Sequence, residues 1–525
     1  MKHLIAIGSL VIATSCATTP RAALHDMALD GLGRFTTKDT PALRVGKISI
    51  HSAPLFDADE ANRGVAYRVA DALTVRTPEA LIRRFLLFRE GEEFDQEKLT
   101  ESERNLRTFD FLAAVTITAE PPHDGVVDID VNTRDAFTTE IDADFSNDGG
   151  RSLYDVSLTQ LDLFGRGDAL GFRMAQKRER RVKSIEFTDP ARFGRYWNTD
   201  AMLAKNSDGN EERLSIERPL FSSFTDFTAS ALTDHLLQTA RIYQDAAIGA
   251  RFRQQHREVS LMAGSALATG SSGNFRVLAG IDFLTDTFTP DFGVAPDNRR
   301  FRFVQLGFDS TAFDLIKEAH VDFGLKEQDF NLGPHASADI GYSPTGIWRI
   351  RTVESIGHRL ARHSFVVAQL VASTRGGATN RNTIVSGDTK IVLRFATTYP
   401  AALVSRIRVD IGSRLDRDVQ FFADGQNGLR AYPNFAFEGS RRVLLNLEQR
   451  VFLGREVLQI FEPGVAIFLD NAWLRGEHAD AGAGVRFAIP RYESAIIRID
   501  AAYAFTGSPI SRRGMVISVA TTQAF

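Results

Sequence analysis

The 525-residue chain is 43% hydrophobic and 24% charged, with a net charge of −4. That is enough apolar material for several compact units or one very large one. With 62 Lys+Arg against 66 Asp+Glu there is no basic excess, so nucleic-acid binding has no electrostatic support. The 39 Phe and 40 Gly are dispersed among polar residues, and beyond the N-terminal stretch no apolar run reaches the ~18 residues of a membrane helix. Membrane strands of about 10 alternating residues stay open.

The chain begins "MKHLIAIGSLVIATSCATTP", in which Lys2 and His3 precede an apolar segment from Leu4 to Ala13 and then small residues. This is the layout of a secretory signal peptide, assigned to residues 1–16. Cys16, the single cysteine of the chain, follows Ala13-Thr14-Ser15. The segment resembles a lipoprotein cleavage box, in which the Cys16 thiol would be acylated; ordinary cleavage at the same small residues is the alternative. With one cysteine, no internal disulfide forms. Residues 17–42 are polar and aperiodic and read as a linker.

Residues 43–135 read as one small α/β domain. "RVGKISIH" alternates as a strand, with Gly46, Ile48 and Ile50 on one face. "TPEALIRRFLLF" predicts a helix with Thr77 as N-cap, Pro78 at its first position, and Leu81, Ile82, Phe85, Leu86 and Phe88 on an apolar face. In "FDQEKLTESERNLRTFDF", Asp95 caps a second helix that buries Leu99 and Leu106. "AAVTIT" and "GVVDIDVN" then form a hairpin across Asp124-Gly125. Gly91, Phe94, Leu99, Leu106, Phe111 and Val115 in this order resemble a polypeptide-transport-associated (POTRA) domain.

From residue 136 onward the period is two. "RRVLLNLEQRVFL" sets Val443, Leu445, Leu447 and Val451 against Asn446, Glu448 and Arg450. "SRIRVDIG", "SAIIRIDAAYAF", "FRVLAGIDF", "AHVDFGLKE" and "TKIVLRF" alternate in the same way. Residues 136–525 therefore predict an antiparallel transmembrane β-barrel of about 16 strands. The final "GMVISVATTQAF" is an amphipathic strand ending at Phe525. It resembles the usual C-terminal assembly signal of bacterial outer-membrane proteins.

"FTTEIDADFSNDGGRSLYDVSLTQLDLFGRGDALGFRMAQ" resembles the first barrel strands of the BamA/TamA superfamily of outer-membrane insertases and translocases. Gly165 and Gly167 of "DLFGRGD" permit the tight turn after the second barrel strand. "EFTDPARFGRYWNTDAML" and "LSIERPLFSSFTDFT" also fit that family's strand pattern, and the resemblance covers residues 43–525. It implies an extracellular loop folded back into the lumen, whose Val-Arg-Gly-Tyr type motif is matched by Leu429-Arg430-Ala431-Tyr432. It further implies that Arg430 meets an acid on a following strand, matched by Asp470 in "PGVAIFLDNAW". Glu448 is inward by parity. Ala431 and Ala472 stand where the family carries glycine, so a differently shaped loop tip is expected.

The function implied is insertion, assembly or translocation of polypeptides through a POTRA domain in the periplasm and a laterally openable barrel in the outer membrane. The partners implied are unfolded outer-membrane or secreted polypeptides, periplasmic chaperones and outer-membrane lipids. A passive channel or porin with a periplasmic adaptor is the alternative. No cofactor or metal is called for. His358 and His363 are spaced five apart, on opposite faces of a strand, and assemble no ligand set, so an enzyme is not expected.

Overall fold

The computed structural model describes residues 43–56, 74–148, 151–322, 324–325, 327–377, 382–458, 461–489, 496–509 and 514–521. The signal peptide, the linker, Cys16 and Phe525 lie outside the described residues.

The small unit runs β1 (Arg44–Ala53), α1 (Glu79–Phe85), α2 (Gln96–Arg107), β2 (Leu112–Ala119) and β3 (Val126–Asp135). Its sheet has the order β1-β3-β2, with β1 parallel and β2 antiparallel to β3. Asp124 and Gly125 take φ values of 49° and 79° and turn the β2–β3 hairpin as their residue types allow. A bulge between Val45 and Ile48 shifts the register of β1, so Val45, Ile48 and Ile50 are all buried rather than split between faces. Two expectations for the first helix are corrected. Pro78, at ψ 145°, is itself the N-cap, and Leu86, at ψ 140°, has already left the helix. Because Pro78 is still extended, the helix starts one residue later than predicted and Thr77 lies outside the cap position; its N–H donates to Asp135 Oδ1 at 3.4 Å. Asp95 does cap α2, accepting from Glu97 N at 2.9 Å.

The rest of the chain closes into one antiparallel barrel of 20 strands, from Thr139–Asp148 as the first to Met515–Ala520 as the twentieth. The expected count of about 16 is corrected. The extra strands come from connections such as 207–208, 245–246 and 271–272, each only two residues long. One expected strand, "AHVDFGLKE", is not in the barrel wall: its residues sit between the short strands Leu315–Glu318 and Gln328–Asn331, which pair only with each other.

The wall alternates strictly. On the tenth strand, Arg299–Ala312, Val304, Leu306 and Phe308 are exposed outward while Phe301, Phe303 and Gln305 are buried. On the seventeenth, Glu462–Trp473, Val465, Ile467 and Leu469 are exposed while Ala466, Phe468, Asp470 and Ala472 are buried. Such a continuous apolar exterior around a polar lumen is the surface of a membrane barrel, with lipid as its outer solvent.

Wall height is uneven. The third to sixth strands (Asp168–Gln176, Arg181–Asp189, Asn198–Asn206 and Gly209–Arg218) have 9, 9, 9 and 10 residues. The seventh to ninth (Phe227–Gln244, Ala247–Gly270 and Gly273–Phe292) have 18, 24 and 20.

The small unit is docked on the turns at its own end of the barrel. Its core of Phe85, Leu99, Leu106 and Ile129 continues through Leu161, Ala191 and Tyr196 of the barrel. The Tyr196 hydroxyl donates to Phe85 O at 2.5 Å and accepts from Asn105 Nδ2 at 3.3 Å. Burial pushes the pKa of this phenol up to about 12, so it remains a donor. Arg195 adds a bond to Leu86 O at 2.7 Å.

Candidate functional site in the barrel lumen

Barrel strands alternate in direction from Thr139, which follows β3. The connection 414–440, between the fifteenth strand (Ala401–Ser413) and the sixteenth (Arg441–Phe452), therefore leaves the end far from the small unit. It turns back into the lumen. Phe421–Ala423 and Phe437–Gly439 pair as a short hairpin, and the Asp424 carboxylate accepts from Gln426 N, Asn427 Nδ2 and Phe435 N at 3.0, 2.7 and 2.8 Å. Arg299 holds the loop's start through Asp416 and Asp418, both at 2.8 Å.

Arg430 stands at the tip. Its Nε donates to Asp470 Oδ2 at 2.7 Å and its Nη2 to Asp470 Oδ1 at 3.1 Å, a bidentate pair. Its Nη1 donates to Glu448 Oε2 at 2.6 Å and reaches Asp500 Oδ2 at 3.4 Å. The guanidinium carbon lies 3.4 Å from the centre of the Phe468 ring, so the cation is held edgewise by carboxylates and faced by a π-system. The structure thus brings together Arg430, Asp470 and Glu448 as the sequence suggested. Tyr432 is held apart from this cluster: its hydroxyl is 2.8 Å from Thr506 Oγ1 and donates to Ala479 O at 3.0 Å.

Ala431 does not need the glycine that the family motif carries. Its backbone is outside the positive-φ region, which Gly428 occupies instead at 96°, and its N–H donates to Asp480 Oδ2 at 3.1 Å. The loop tip is therefore tightly held. Ala472 is fully buried against Leu429 and Tyr432.

Several members of the cluster were not singled out by the sequence. Arg450 Nε donates to Glu448 Oε1 at 3.0 Å, Arg486 Nη2 to the same oxygen at 3.1 Å, and Arg486 Nη1 to Asp500 Oδ1 at 2.5 Å. Asn446 Nδ2 bridges Gly428 O and Asp470 Oδ1 at 2.8 and 2.7 Å. Glu448, Arg450, Asp470, Arg486 and Asp500 are completely buried. Inward parity marks each of them, but parity gives the face and not the depth at which the side chains meet.

The lumen is also entered from the small unit's end. Segment 313–334, between the tenth strand and the eleventh (His335–Tyr342), packs Ile316, Val321 and Leu332 against Phe365, Val392 and Val404 of the wall. Val321 O accepts from Arg450 Nη1, and Asp322 pairs with Lys390. His320 Nε2 lies 2.9 Å from Glu462 Oε1. On the other side Lys317 Nζ is 3.1 Å from Glu103 Oε1, and Arg107 is 2.9 Å from Asp329, both partners being on α2. Bonded contacts therefore run from α2 through this plug and Arg450 to Glu448 and Arg430.

Gly165 and Gly167 sit in the turn after the second strand (Arg151–Leu163) with φ of 71° and 79°. A Cβ on Gly165 would lie 3.2 Å from Pro78 Cδ, so this turn also abuts the start of α1.

No family model and no curated protein matches the chain. Among solved structures it is similar to CdiB from Escherichia coli (11% identity, 94% of this chain and 93% of that one, TM-score 0.47). It is also similar to BamA from Haemophilus ducreyi lacking POTRA domains 1–3 (11% identity, 91% and 85%, TM-score 0.37). Pseudomonas aeruginosa OccK5 (OpdH) is matched over 73% of this chain and 96% of its own, at 10% identity and a TM-score of 0.34. With every one of these TM-scores below 0.5, the action of this chain has to be argued from its own geometry.

Proposed function

We propose that this protein inserts or passes polypeptides at the outer membrane, with its small unit acting as a POTRA domain in the periplasm. The observation that carries this reading is the seam. There the twentieth strand closes the barrel against the first, with Val519 opposite Phe145. Parting the last strand from the first would expose N–H and C=O groups that hydrocarbon cannot solvate, so this closure is where an incoming strand would gain most. A lumenal cavity of about 510 Å3, lined by Asp142, Asp144, Asp155 and Thr521, lies directly behind it. A passive channel fits less well, because loop 414–440 and plug 313–334 fill the lumen from its two ends.

In the small unit, β2 is an edge strand paired only with β3. Its backbone groups offer an extended client a site for β-augmentation, which reads little sequence and so suits varied unfolded polypeptides or the chaperones that carry them. Folding and lipid burial of the client supply the free energy.

The test is a disulfide across the seam. Phe145→Cys with Val519→Cys places two thiols on directly opposed residues in a chain whose native cysteine is Cys16 alone. Under oxidising conditions the double variant should lose client assembly and regain it on reduction. Undiminished activity of the crosslinked form would sink the lateral-opening reading.

A further inference from the structure

We propose that the outward face of the eighth to tenth strands, beyond the apolar band, is a binding site for the phosphate groups of anionic lipids in the outer leaflet. Its core is Arg253 and Arg257 of the eighth strand with Arg300 and Arg302 of the tenth. On the eighth strand both arginines share the outward face with Val259 and Leu261 and are exposed like them. On the tenth, Arg300 and Arg302 lead directly into exposed Val304, Leu306 and Phe308.

Strand register brings the two pairs to one patch. Arg257 is opposite Thr285 of the ninth strand, and Thr285 is opposite Arg300. Phe283 lies between Val259 and Arg302 one row nearer the apolar band. Arg257 and Arg300 are thus two strand spacings apart, about 10 Å, with threonine hydroxyls at Thr285, Thr287 and Thr289 between the two strands. Guanidinium and hydroxyl donors standing immediately beyond exposed aliphatic side chains match a headgroup phosphate above its acyl chains.

The charge state of these arginines sets them apart. The lumenal arginines Arg299, Arg349, Arg375, Arg430, Arg442 and Arg486 each have a carboxylate within 3 Å. Among the described residues Arg253, Arg257, Arg300 and Arg302 have no ion pair. Arg257 has only the neutral Gln255 amide beside it. The acids flanking the patch include Glu212, opposite His235, Asp291, which is already paired with Arg251, and exposed Asp297 in the connection that leads into the tenth strand. Four uncompensated cations projecting toward lipid need anionic partners from the membrane itself.

The site lies at the barrel end far from the small unit, so its assignment to the outer leaflet rests on the orientation proposed above. That orientation is checked separately: external protease on intact cells should leave the small unit uncut.

The binding test uses the full chain in phosphatidylcholine vesicles doped with diphosphorylated lipid A or with the same lipid dephosphorylated, and counts the lipid retained on extraction. The wild type should retain the phosphorylated lipid and discriminate against the other. Arg→Gln at all four positions should lower retention by roughly fivefold per arginine removed, while Arg→Lys at all four should keep most of it. Equal retention of the two lipids, or of the phosphorylated lipid by wild type and the Gln variant, would overturn the proposal. So would displacement of the lipid by inorganic phosphate alone, which would make this a free-anion site. Cleavage of the small unit from outside would move the patch to the other leaflet without altering the vesicle result.

Discussion

Arg430 is bound to three carboxylates, and the consequence of removing it differs for each. Glu448 keeps Arg450 and Arg486, and Asp500 keeps Arg486 and Arg498. Asp470 keeps the Asn446 amide and the facing Asp480 carboxyl but neither is a cation, so Arg430→Ala strands a buried charge there at a cost of about 3 kcal/mol. Because the strands need not move, the effect should fall on the loop. Barrel abundance should stay near wild type, loop 414–440 should become cleavable by external protease, and client assembly should fall about tenfold or more. Asp470→Asn should act in the same direction but less severely, since the amide preserves the shape and one acceptor. Normal assembly together with a protected loop in both variants would reduce the cluster to pore lining. This pairing was legible in outline: two-residue periodicity puts Glu448 and Asp470 inward, and the family motif points to Arg430. Arg486 and Asp500 were not singled out, because contact between side chains from different strands depends on register and depth, which a single strand's pattern does not encode.

The plug is the element that the sequence misread. Residues 319–327 alternate polar and apolar in sequence much as the membrane strands do, yet the described Val321 packs against the inner wall while His320 and Asp322 pair with Glu462 and Lys390. Periodicity reports one apolar and one polar environment; it does not say that the apolar one is lipid. The plug's outer anchor is Glu103 of α2, whose carboxylate is shared by Lys317, Arg107 and the β2 backbone N–H of Ile117. Burial works to raise its pKa, but the Ile117 amide, Lys317 and Arg107 outweigh it and hold it below the ordinary 4.5. A depressed carboxylate contributes stability above that ordinary value and loses it as pH falls through the lower folded value. Docking of the plug on α2 should therefore be insensitive to pH near neutrality and weaken in acid. Glu103→Gln should remove that acid dependence and increase proteolysis within 313–334 already at neutral pH. The change should be modest, about 1 kcal/mol or less, because Lys317 is half-exposed. Unchanged protease sensitivity at both pH values would mean that Glu103 is not an anchor.

For the whole molecule, a barrel whose lumen is entered by a folded segment from each end, read with the function proposed above, predicts a dedicated effect on other proteins rather than on small-solute permeability. Depleting the protein and quantifying the outer-membrane proteome should show selective loss of one or a few barrel or surface proteins, with uptake of small solutes unchanged. An unchanged proteome would count against any insertion or translocation role. At this scale the mainly-β, barrel-forming class was readable because hairpin turns and alternation are local signals. The strand number was not, since two-residue turns are hard to tell from the strands that they join.

The unequal strand lengths have a mechanical meaning. Stiffness of a barrel wall comes from ladder hydrogen bonds in parallel, so the junctions among strands of 9 and 10 residues resist shear about half as strongly as those among strands of 18 to 24. The tall side is a rigid back and the low side a compliant front. Any distortion imposed by a client or by bilayer thickness is thereby concentrated at one place on the circumference, while the back stays in register and preserves the lumenal lock.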